Sequence, residues 1–143
     1  MRWHFIALLI IAGIGGALQP AINARLGAVI GELEASLVNF AGGVIFIVPI
    51  ILLFGKGNLA RLIGLPWYYL IGGILGALIV LSFIYGVPTF GVTFSISLMM
   101  TAEMITALFA DKYGFMGAPP TPITWVRIVG VLLMIAGTRL VLR

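Results

Sequence analysis

Between Arg61 and Glu103 the chain runs for 41 residues without a charged side chain. A second uncharged run, Phe5 to Ala24, is twenty residues long. A helix of twenty residues, at about 1.5 Å per residue, spans the ~30 Å hydrocarbon core of a bilayer. Backbone polar groups inside lipid must be satisfied within the segment, and a helix does this. Charged residues make up 8% of the 143 positions, against about a quarter in a soluble domain. The expectation is an all-α integral membrane protein.

Segment ends follow from charges, aromatic anchors and breakers. Five spans are expected, at about 3–25, 35–54, 67–86, 91–112 and 123–142, forming a single transmembrane domain over 1–143. A polar connector is expected at Gly27 to Glu34, with Glu32 and Glu34 at the positive end of the second helix. Leu59 to Leu65 is expected to form a short interfacial turn. A tight hairpin is expected at Gly86 to Gly91, because 41 uncharged residues are too many for one span. Asp111-Lys112-Tyr113-Gly114 closes the fourth helix, with Gly114 as a left-handed cap. A stiff connector then runs from Met116 through Pro119-Pro120 to Thr121, followed by Pro122. Pro20 and Pro49 predict kinks. Gly72 and Gly76 form a GxxxG packing face. Asp111 and Arg127 are placed at one surface, where they can pair.

The basic residues sit singly near segment ends, a pattern that suits lipid headgroups and not nucleic acid. With no Cys and one His, His4, the chain offers no thiol chemistry and no His-based metal site. No nucleophile–base pair or phosphate loop is present. The expectation is a non-enzyme without cofactor.

One charge falls deep inside a span. Glu103 lies three residues past the centre of Phe90 to Ala110, about 4.5 Å along the axis. Ser95, Met99, Glu103, Thr106 and Ala110 share a helical face. A carboxyl at this depth costs about 2.5–3.5 kcal/mol in its charged form, so it marks a function or a partner. On the first helix Ala12, Gly16, Gln19 and Asn23 share a face. Ser36, Asn39 and Gly43 do so on the second. The candidate substrate- or ion-binding set is Glu103, Gln19, Asn23, Asn39, Ser95, Met99 and Thr106.

Five spans put the termini on opposite sides. Arg2, Lys56, Arg61, Lys112 and Arg127 fall on one side, and Arg25, Arg139 and Arg143 on the other. That margin of two is small for the positive-inside rule. It permits insertion both ways, and hence an antiparallel homodimer of ten helices with inverted-repeat symmetry.

Several motifs together resemble the YdcZ-like family. They are Gln19-Pro20-Ala21-Ile22-Asn23-Ala24-Arg25-Leu26-Gly27, Asn39-Phe40 before Gly42-Gly43, and Trp67 leading into Gly72-Gly73-Ile74-Leu75-Gly76-Ala77. Pro88 with Gly91, the Asp111 to Gly114 close, and Arg127 to Gly130 complete the set. The resemblance covers essentially the whole chain. It implies a half-size, five-helix branch of the drug/metabolite transporter superfamily, a bacterial inner membrane, and export of a small molecule. It also implies members that occur as single, paired or fused copies. Relatives often carry Gln where this chain has Glu103.

Two functional expectations follow. One is a secondary transporter that exports a small cationic or amphiphilic molecule, with proton coupling at Glu103. The other is a non-transporting assembly or accessory protein in which Glu103 is an interhelical hydrogen-bonding group. Small-molecule substrate, protons, membrane lipids and a second copy are the expected partners.

Overall fold

A computed structural model describes residues 3–115 and 119–141. The expected contributions of Arg2, Met116, Gly117, Ala118, Leu142 and Arg143 lie outside the described residues. Among the described residues there are five α-helices and no strand. They are α1 (Trp3–Ile30), α2 (Glu32–Phe54), α3 (Ile71–Phe90), α4 (Val92–Tyr113) and α5 (Trp125–Val141). Turns of 3-10 helix at Leu59–Gly64 and Trp67–Leu70 precede α3. The first of these is capped by Asn58, whose side chain accepts from the Ala60 N–H at 2.9 Å.

Four segments, Trp3–Ile30, Glu32–Phe54, Trp67–Phe90 and Val92–Tyr113, are long and apolar enough to cross a membrane. The 17 described residues of α5 reach the lower end of the spanning range of about 17–25. Large apolar side chains cover the outside of the molecule: Leu52 is 80% exposed and Ile63 is 91% exposed. Water does not tolerate so extensive an apolar surface, whereas lipid does. The chain is a multi-pass helical membrane protein.

Two connections are tighter than expected. The span placed at 3–25 continues to Ile30, and α2 begins two residues later. Gly31 alone makes the reversal, with φ 103° and ψ 148°. Its carbonyl accepts the Ala35 N–H at 3.0 Å, which starts the new helix. Where a hairpin was expected at Gly86 to Gly91, only Gly91, at φ 80°, separates the end of α3 from the start of α4. These are positions where an L side chain is disfavoured and glycine is not. Helix therefore runs through Pro88, as it does through Pro20 and Pro49. Each proline removes one N–H, while the lipid environment penalises the further loss of backbone bonds that unwinding would bring.

The chain forms two compact units, Met1–Pro88 and Thr89–Arg143. In the first, α1 buries Pro20, Asn23, Ala24 and Gly27, spaced 3, 1 and 3 along one helical face. Ala35 of α2 packs with Val80 and Ile84 of α3, and Leu26 lies against this cluster. Gly76 allows the Phe40 ring to approach, while no neighbour lies within 4 Å of where a Cβ would stand on Gly72 or Gly73. The GxxxG face is thus used at one end within this unit. In the second unit α4 packs on α5, and Thr101, Val131 and Thr138 are buried.

Candidate functional site

Three of the expected site residues meet in the first unit. Asn39 Oδ1 accepts from Gln19 Nε2 at 2.9 Å and from Asn23 Nδ2 at 3.1 Å. The spacing of Gln19 and Asn23 puts both amides on one face of α1, and Asn39 comes to them from α2. Asn23 is buried, Asn39 half-buried and Gln19 exposed. One carbonyl oxygen is shared, so the two Asn39 Nδ2 protons remain directed elsewhere. An amide group presented in this way is a ready contact for a polar ligand group or another helix.

The other four, Ser95, Met99, Glu103 and Thr106, lie on α4 in the second unit. Ser95 Oγ donates to the Gly91 carbonyl at 2.8 Å, and the Ser95 N–H reaches the same oxygen at 3.2 Å. Ser95 therefore holds the turn at Gly91. Thr106 Oγ1 donates to the Ala102 carbonyl at 2.9 Å. Both hydroxyls keep lone pairs for a further partner. Met99 is half-buried.

Glu103 is exposed on the surface of its unit and makes no hydrogen bond or ion pair among the described residues. Thr101, two residues earlier, faces α5. At about 100° per residue, Glu103 then sits about 160° away, on the side of α4 turned from α5. The fold thus presents the carboxyl outward without a partner inside its own helix pair.

The sequence reading missed Thr101 and Thr138. Thr101 Oγ1 donates to the Ser97 carbonyl at 2.8 Å and lies 3.0 Å from Thr138 Oγ1. Thr138 Oγ1 in turn contacts the carbonyls of Met134, at 2.9 Å, and Ser97, at 3.2 Å. This buried pair fixes the register of α4 on α5. The signal available in sequence was a hydroxyl on each helix, but which helices pair was not visible there.

The Asp111 and Arg127 side chains form the expected ion pair, Nη1 to Oδ2 at 3.1 Å. Gly114 caps α4 at φ 61° and ψ 43°, also as expected. The Thr121 N–H donates to the Asp111 carbonyl at 2.9 Å, tying the connector to the helix end. Among the described residues no three His, Asp or Glu side chains gather where they could hold a metal ion.

The family model described as "Putative inner membrane exporter, YdcZ" matches residues 4–140. No curated protein and no solved structure matches the chain.

Proposed function

We propose a proton-coupled export mechanism for this chain, which belongs to the YdcZ family of inner membrane exporters. Membership makes it a membrane exporter in general. The finer reading is a secondary transporter that moves a small cationic or amphiphilic molecule outward in exchange for protons at Glu103.

The observation that carries this reading is the placement of Glu103. It is the one charged side chain between Arg61 and Asp111. It lies on the side of α4 turned from α5, with no hydrogen-bond or ion-pair partner among the described residues. A charged side chain inside a bilayer is costly unless a cation or a polar cavity compensates it. A proton and a cationic substrate can each supply that compensation, and each excludes the other. Binding of one therefore releases the other, which is the minimal logic of exchange. Met99 offers an adaptable apolar contact beside the carboxyl. Ser95 and Thr106 add acceptors on the same face, while in the first unit, taken by itself, the Gln19, Asn23 and Asn39 amides form a separate polar cluster.

An antiparallel pair of copies completes the proposal. An odd number of spans with a weak charge bias allows both orientations, and two inverted copies give the symmetry on which alternating access is built. Membrane lipids surround the assembly. The reading is tested by thermal shift with tetraphenylphosphonium across a pH series. Stabilisation that weakens at low pH and disappears in Glu103→Gln supports it. Stabilisation that is equal in the variant removes Glu103 from the site. If Glu103→Gln lowers dimer stability without any ligand effect, Glu103 is an interhelical hydrogen-bonding group.

A further inference from the structure

The face of the α4–α5 pair that carries the ion pair holds a groove with a built polar end. A recess of about 370 Å³ is lined by Met104, Leu108, Val131 and Met134, with Asp111 and Arg127 at one end. Met134 also borders a second recess of about 280 Å³ that extends to Thr138 and Val141. From Arg127 to Val141 the groove follows fourteen residues of α5, about 21 Å. Its first part, Arg127 to Met134, covers about 10 Å. One bilayer leaflet contributes about 15 Å of hydrocarbon, half of the ~30 Å core. The first recess alone thus accommodates most of one leaflet's length of an acyl chain entering at Arg127, and the second recess lies beyond Met134 along the same helix.

The polar end favours an anion. Arg127 is in the first turn of α5, which holds no acidic residue, so its charge adds to the positive dipole end of that helix. One guanidinium N–H is taken by Asp111, and the planar fork has five. Lys112 brings the local sum of Asp111, Lys112 and Arg127 to +1. Trp125 is 80% exposed beside them, as expected of a residue at the headgroup level. Gly130 opens the groove just below Arg127, since no atom lies within 4 Å of where its Cβ would stand.

We propose that this groove binds an anionic phospholipid, with the phosphate on Arg127 and an acyl chain along Leu108, Val131 and Met134. The site is separate from Glu103, which faces the other side of α4. Asp111 acts as a competitor for the guanidinium and so moderates the affinity.

The test is native mass spectrometry of the full chain in detergent, with phosphatidylglycerol and phosphatidylcholine of identical acyl chains. The expected preference for phosphatidylglycerol is about five-fold, the factor that one basic residue supplies at an anionic surface. Arg127→Gln loses the preference, Arg127→Lys keeps it, and Asp111→Asn increases it. Gly130→Leu lowers retention of both lipids by filling the groove, with helicity by circular dichroism unchanged. A wild type without preference overturns the proposal. So does a shift in the same direction for Arg127→Gln and Asp111→Asn, because that is what loss of a merely structural ion pair produces. Displacement of the lipid by an equal concentration of glycerol 3-phosphate overturns it as well, since the apolar groove then contributes nothing.

Discussion

Thr101 and Thr138 bring their hydroxyl oxygens to 3.0 Å of each other inside the α4–α5 seam, and both reach the Ser97 carbonyl. Two protons serve four acceptor contacts, so each hydroxyl compensates for polar surface that lipid cannot hydrate. The pair is the polar lock of the second unit. Interhelical hydrogen bonds in membrane proteins average about 0.6 kcal/mol and reach about 1.7. Thr138→Val keeps the shape and removes the hydroxyl. It is expected to cost about 1 kcal/mol in detergent unfolding, and Thr101→Val with Thr138→Val to cost less than the sum of the two. Strict additivity would show that the hydroxyls do not act together.

Gly27 marks the tightest helix approach in the first unit. A Cβ there would stand 2.8 Å from Ile84 Cγ2, and Ile84 is only 1% exposed. Overpacking of this kind costs about 1–3 kcal/mol, and the helix propensity of alanine returns about 1. Gly27→Ala should therefore lower stability, while Gly13→Ala, with open space around it, should be neutral or stabilising. Equal effects at the two positions, measured by thermal unfolding, would contradict the packing account.

Asn39 accepts both amides of α1, so its loss leaves Gln19 and Asn23 without their shared partner. Asn39→Ala is expected to cost about 1–2 kcal/mol, on the scale of interhelical polar contacts in membranes. Gln19→Ala, which leaves the Asn23 bond in place, should cost less. A larger loss from Gln19→Ala would mean that the cluster is organised around Gln19 instead.

Much of this was legible in the sequence, for identifiable reasons. Uncharged length dictates helices in lipid, and the aromatic and basic residues mark their ends. The face shared by Gln19 and Asn23 follows from helical spacing, and their contact with Asn39 realises it. Asp111 with Arg127, and the left-handed cap at Gly114, were readable from local pattern. The exact connections were not. A polar connector was expected at Gly27 to Glu34 and a tight hairpin at Gly86 to Gly91, but in each case a single glycine at positive φ, Gly31 or Gly91, is all that separates two helices. Prolines looked like breakers because that is their effect in water, where a freed carbonyl finds a solvent partner. Thr101 and Thr138 stayed hidden because a hydroxyl bonded to its own helix and one that locks two helices look alike in a sequence.

The central claim is that Glu103 couples export to protons. It is tested most directly by tetraphenylphosphonium flux in proteoliposomes under an imposed pH gradient, comparing the wild type with Glu103→Gln. Flux that rises with the gradient in the wild type, and no longer responds to it in Glu103→Gln, is the predicted result. A gradient response of the same size in both proteins would contradict the account.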